Sequence, residues 1–244
     1  GRVVPALLVE PTAALSRKKT VLYIDGHGMY AAAAPHGDVD ELAQLVDTVL
    51  VLDPSGIGET TSTWTSYSSP WFGSDERVKW LALMVGKPLV GIRMDDILRG
   101  VDLLKQKGLL YDGKCLGFAR GAVAVDMLHA AVMDQRIAGV AMEDSLISYG
   151  QIARSPIHRQ IFEAVVPGVL GKYDLPDLVA ALAPRPVWLV NLRSPVGNPV
   201  FLRDARHEYE YAASAYAAVG ASKQFRLGLR REGENVASAY SALP

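Results

Sequence analysis

The chain has 244 residues, half of them hydrophobic, and its 25 basic and 26 acidic residues leave a net charge of −1. That is room for one large domain or two small ones, and the balanced charge leaves no electrostatic footprint for nucleic acid. One cysteine excludes an internal disulfide and any multi-thiolate metal site, and no apolar run approaches the roughly 20 residues that span a bilayer.

The chain opens on GRVVPALLVEP, without an initiator methionine and without a signal-peptide pattern. That opening predicts a tag remnant, a processed chain or a fragment of a longer protein. A secreted or periplasmic location would need a leader on such a longer chain. Residues 3–9 form a strand-like apolar run, and the basic cluster Arg17-Lys18-Lys19 reads as a solvated loop before the next run, 20–24. Asp25-Gly26-His27-Gly28 follows as either a tight turn or a loop of backbone donors. Residues 38–45 carry helical spacing behind Asp38, and 48–52 are again strand-like.

Residues 59–73 interleave Trp64, Tyr67, Trp71 and Phe72 with Ser and Thr. Such rings suit either stacking on a ligand or a small core within the loop itself. Helical spacing returns over 74–84 and 94–107, before a strand over 114–118 in which Cys115 reads as buried packing. Then comes LGFARGAV, residues 116–123, whose Gly117-Phe118-Ala119-Arg120-Gly121 has the glycine frame of a strand-to-helix turn. A helix over 122–133 and a strand over 137–142 follow.

Glu143, Asp144 and Ser145 close that strand, and 145–173 holds three glycines and two prolines, the composition of a cap or lid. Helical segments at 175–183 and 204–219 alternate with strands at 187–190 and 225–229. Strand and helix in alternation, with strands nearly continuous in Val, Leu and Ile, predict an α/β fold with a mostly parallel, doubly wound sheet. Helices should cover both faces, and ligands should meet the carboxyl ends of the strands. With no internal repeat or low-complexity linker, one domain over 1–244 is expected. The isolated histidines His36, His129, His158 and His207 show no metal-ligand spacing. Gly26 and Gly28 lack the third glycine of a dinucleotide loop, Ala31 standing there, so neither metal nor cofactor is expected.

Several blocks resemble the acetyl xylan esterase-like branch of the α/β-hydrolase superfamily. VVPALLVEP (3–11) is similar to its entry strand, TVLYIDGHG (20–28) to the next strand and oxyanion loop, and VLVLDPSGIGET (49–60) to a strand and glycine turn. DLPDLVAALAPRPVWLV (174–190) resembles the helix and strand leading to the acidic triad member. The resemblance implies an α/β-hydrolase fold and a Ser, acid, His order along the chain. It puts Ala119 at the nucleophile, finds no carboxylate in 191–195, and finds no histidine after His207. Glu143 or Asp144 would be a relic acid, or else a capping carboxylate. Gly26, His27, Gly28 and Arg120 would line the oxyanion side of the pocket, with Trp64, Tyr67 and Trp71 as ligand contacts.

Three empty positions imply a catalytically degenerate esterase-like domain, a binding or structural module. Its partner would be a small ester or carbohydrate, or a companion domain. The alternative is an active ester hydrolase with a rearranged site, Ser145 or Ser55 as nucleophile and His27 as base. A third reading is an emptied pocket that holds a ligand without hydrolysing it.

Overall fold

The computed structural model describes residues 2–11, 18–61, 76–231, 233–236 and 240, so Trp64, Tyr67, Trp71 and Phe72 lie outside the described residues. Among the described residues seven strands form one sheet in the order β1-β3-β2-β4-β5-β6-β7. They are β1 (Ala6–Val9), β2 (Thr20–Asp25), β3 (Thr48–Leu52), β4 (Cys115–Arg120), β5 (Ile137–Glu143), β6 (Val187–Val190) and β7 (Phe225–Gly228). Only β1 runs antiparallel, on β3; the other pairings are parallel. Every apolar run produced a strand within a few residues of its expected bounds.

Alternate residues of the central strands feed two cores, as the two-residue repeat requires. Leu22, Ile24, Ala119, Val140 and Met142 pack on one face. Val21, Tyr23, Phe118 and Trp188 pack on the other, where Tyr240 completes the layer. The Tyr240 ring lies 4.9 Å from that of Phe118, edge on, and stacks 5.6 Å from that of Trp188.

On the first face lie α4 (Leu89–Gln106), α5 (Ala124–Met133) and α7 (Leu175–Leu182). The α4 helix starts five residues before the expected 94, because Pro88 stands at its N-cap in an extended conformation. Its Gly100 brings the helix against β3: a Cβ there would lie 2.4 Å from Leu52 Cδ1. The second face carries the short α1 (Met29–Ala32), which composition did not announce, and α2 (Asp38–Leu42). The α3 helix (Glu76–Met84) precedes α4.

Segment 145–173 holds α6 (Tyr149–Arg154) and two single turns, Phe162–Ala164 and Val169–Gly171. Asp174 anchors it. One carboxylate accepts Tyr149 N–H at 2.7 Å and Gly150 N–H at 2.8 Å, and also caps α7 through Leu175 N–H. The expected helix over 204–219 is two helices, α8 (Leu202–Glu208) and α9 (Glu210–Ala218). Tyr209 interrupts it, fully buried, with its hydroxyl donating to Ile147 O at 2.8 Å.

The loops after β2 and β3 are held together by Asp53, which is wholly buried. It accepts Met29 N–H at 2.7 Å and Glu59 N–H at 2.8 Å. This explains the glycine turn at 56–58. Gly58 has φ +52°, and a Cβ there would lie 2.1 Å from Asp53 Oδ2. Strain at positive φ and overpacking each cost on the order of 1–3 kcal/mol. We therefore expect Gly58→Ala to lower stability by about 2–4 kcal/mol in chemical denaturation; a loss below about 0.5 kcal/mol would show that the interlock is slack.

Candidate functional site

The strand-to-helix turn after β4 is not where the glycine frame put it. Ala119 lies inside β4, paired with Ile24 on one side and Met142 on the other, and is fully buried. The turn falls two residues later, at Gly121, which has φ +82° and stands between Arg120, the last residue of β4, and α5. Gly117 is small for another reason: a Cβ there would meet Met127 Sδ of α5 at 2.5 Å. Its role is helix-on-sheet packing. The turn therefore reads Ala119-Arg120-Gly121-Ala122-Val123, with Gly121 at the point where the strand gives way to the helix.

Gly121 borders a cavity of about 470 Å³ at the carboxyl ends of the strands. Gly26, His27, Ala122 and Val123 line it from below, and Ile161, Glu163 and Ala164 of the 145–173 segment line it opposite. The backbone donors expected at Gly26, His27 and Gly28 are already engaged. Gly26 N–H donates to Arg120 O at 2.9 Å, Gly28 N–H to Asp25 O at 3.0 Å, and His27 N–H to Asp25 Oδ1 at 2.8 Å. Gly26 and His27 line the cavity as expected, with their N–H groups already bonded within the fold. Ala122 and Val123 N–H, at the start of α5, take no acceptor among the described residues.

His27 also sets its Nδ1 3.0 Å from Asp25 Oδ1, and its side chain is 81% exposed. The Asp25 hydrogen bond raises the imidazole pKa against a smaller opposing effect of burial. For Asp25 burial acts upward, and the two His27 hydrogen bonds outweigh it to lower the carboxyl. The result is an oriented imidazole with Nε2 uncommitted. The serines offered as substitutes do not join it. Ser145 is fully buried, and Ser55 Oγ donates to Asp96 at 2.7 Å; neither lines the cavity.

A second, more polar cavity of about 770 Å³ lies beside the first, and Asp144 and Arg193 line both. Asp144 has φ +54°. Its Oδ1 accepts Arg193 Nε at 2.7 Å and Nη2 at 2.5 Å, and its Oδ2 accepts Arg120 Nε at 3.3 Å. Arg120, expected in the oxyanion pocket, lines the second cavity instead and donates through Nη1 to Asp38 Oδ2 at 2.9 Å. Glu143 is paired with Arg230, which follows β7, Nη2 to Oε1 at 2.7 Å. Burial raises the Glu143 carboxyl, with Arg230 pulling it back. Arginines thus hold both carboxylates considered as relic acids. His36 also lines this cavity.

Below the first cavity is a buried ionic cluster that the helical pattern of 122–133 concealed. Arg93, wholly buried on α4, donates to Glu163 Oε2 at 2.8 Å and to Ser55 O at 2.8 Å, with Asp126 Oδ2 3.6 Å from its Nη1. Both oxygens of Asp126 are buried without a hydrogen bond. Desolvation holds its carboxyl well above the usual range despite Arg93. His129 is likewise buried, its ring set against Val125 O and Tyr173 Oη, and burial lowers its pKa. The Cys115 thiol is buried and pushed up to about 12 by desolvation. Among the described residues no group of His, Cys, Asp or Glu could hold a metal ion.

No family model matches the sequence, and no curated protein does. Solved structures do. A "putative acetyl xylan esterase" from Bacteroides fragilis NCTC 9343 superposes with TM-score 0.70 at 18% identity, over 94% of this chain and 63% of its own. A methylesterase matches with TM-score 0.66 at 15% identity, over 98% and 51%. A glucuronoyl esterase of carbohydrate esterase family 15, from Caldicellulosiruptor kristjansonii, matches with TM-score 0.60 at 14% identity, over 97% and 69%. The chain thus spans about half to two thirds of the length of these proteins. It has the α/β-hydrolase fold.

The displaced turn makes two serine variants differ. Ala119→Ser would bury a hydroxyl in the core, at about 1–2 kcal/mol of stability and with no new reactivity. At Gly121 an added Cβ meets nothing nearer than 3.8 Å, so Gly121→Ser should fold with only backbone strain and place its hydroxyl at the cavity. Labelling of Ala119→Ser, but not Gly121→Ser, by a fluorophosphonate would reverse this assignment. Asp126 supplies a pH test. Its folded-state pKa lies above the unfolded value of about 3.9, so the contribution of this one group is full below pH 4 and is lost as pH rises through the folded-state value. Asp126→Asn should raise the melting temperature at pH 7 by about 2–4 °C and leave it unchanged near pH 4. An equal change at both pH values would exclude this titration.

Proposed function

We propose that this chain is an esterase-like α/β-hydrolase domain that binds a ligand and has lost serine-ester chemistry. The observation that carries the reading is Gly121 at the strand-to-helix turn, where no side chain exists to attack an acyl carbon. The lack of a histidine in the stretch 229–235 after β7 and the arginine partners of Glu143 and Asp144 support it. With Arg193 and Arg120 on Asp144, and Arg230 on Glu143, neither carboxylate is placed to orient an imidazole in the chain order of a hydrolase triad. The cavity beside the turn persists, with segment 145–173 as its cap.

The esterase names of the matched structures support an acyl compound or sugar ester as the ancestral substrate class. Because the chain spans 63% and 51% of the first two of those proteins, a companion domain in a longer chain fits the same reading. Removing a whole triad leaves about 10³–10⁴-fold catalysis over water, from remaining donors and binding. On 4-nitrophenyl acetate we accordingly expect slow, non-saturating hydrolysis that His27→Gln does not change. Saturable turnover abolished by His27→Gln would establish instead a rearranged, working hydrolase.

A further inference from the structure

The unused hydrogen-bonding capacity around the first cavity is unevenly divided, and the division selects a ligand. Its acidic side chains are largely occupied. Asp144 accepts from Arg193 twice and from Arg120 once, and Glu163 is paired with Arg93. Asp25, behind the cavity, accepts from His27 and Tyr23. What remains open is mostly donors. Arg193 has its Nη1 without a partner among the described residues and is 35% exposed. His27 directs only Nδ1 and its own N–H to Asp25, which leaves Nε2 for a ligand. Arg159, Gln160 and Ser194 add polar groups to the wall, and Ile57, Leu146, Ile161 and Ala164 supply its apolar part.

From this we infer that the cavity beside Gly121 binds a small monocarboxylate with an apolar body, its carboxylate held by His27 Nε2 and Arg193 Nη1. The inference rests on the binding reading above and names the ligand class for that same site. The volume of about 470 Å³ lies within the range of small-molecule sites and suits one ring or a branched chain. A dianion is disfavoured, because the carboxylates of Asp144 and Glu163 also line the cavity. Ala122 and Val123 N–H add two donors beside the Gly121 turn. The charged groups acting on His27 are Asp25 and Asp144, which favour its cationic form, and Arg120, which opposes it. Carboxylate affinity should therefore fall as His27 loses its proton.

The test is calorimetric titration of the chain with benzoate, its neutral isostere benzamide, and inorganic phosphate at pH 6 and pH 8. Benzoate should bind at least about tenfold more tightly than benzamide at pH 6, the ratio expected of charge-assisted hydrogen bonds. It should weaken by pH 8, and His27→Gln should remove that pH dependence. Arg193→Met should weaken benzoate about tenfold without affecting benzamide, with a melting curve to verify folding. Benzamide or phosphate binding as tightly as benzoate, or no benzoate binding at about 10 mM, would overturn the inference. Ester turnover is measured separately, so an inactive chain that ignores benzoate defeats this inference alone. A chain that turns over esters in a His27-dependent way defeats the reading beneath it.

Discussion

The carboxyl ends of four parallel strands are tied together by arginine–carboxylate contacts, and the arrangement of the site depends on them. Arg120 ends β4, Glu143 ends β5 with Asp144 after it, Arg193 follows β6, and Arg230 follows β7. Parallel strands buried on both faces bring their ends together and leave chemical variety to the loops there. The contacts differ in weight. Arg120 and Arg193 are about a third exposed, and such pairs contribute roughly 0–1 kcal/mol each. The Arg230–Glu143 pair is nearly closed to solvent, and removing one partner from a buried pair costs about 3–5 kcal/mol. Side chains that could orient an imidazole are used to hold the strand ends in register.

Two kinds of pressure act on small residues around β4, and only one was legible beforehand. Glycines at 117 and 121 matched the spacing of a nucleophile turn, so the frame seemed to centre on Ala119. Spacing does not distinguish a glycine kept small by a neighbouring helix from one kept for its backbone angle. Gly117 is the first kind, against Met127, and Gly121 is the second. The apolar runs were more informative because strand burial on both faces leaves a continuous signature that few other environments produce.

The charged residues were the hardest to read. Arg93 shares a helical face with Leu89, Ile97 and Gly100, and Asp126 lies in a helix buried nearly all round, so charge alone would send both to solvent, yet both are wholly buried and lie together through tertiary packing. Likewise, Arg193 and Arg230 sit at loop starts, where arginine is usually a solvated residue. Their partners come from 49 and 87 residues earlier in the chain. Pairing over such separations has no local signature. The break at Tyr209 has the same origin, because an interior tyrosine found its acceptor on another segment.

Tyr240 gives the assembly an order in time. Its ring fills the layer between Phe118 and Trp188, and its hydroxyl lies 3.3 Å from Glu143 Oε2. Nearby, Val236 N–H donates to Glu41 at 2.5 Å, closing a contact across 195 residues. During synthesis the amino-terminal strands emerge long before these partners. Until the ribosome releases residues 236–240, one face of the central sheet lacks its last aromatic ring. The strand ends around Glu143 can reach their final packing only after residues 236–240 have left the ribosome.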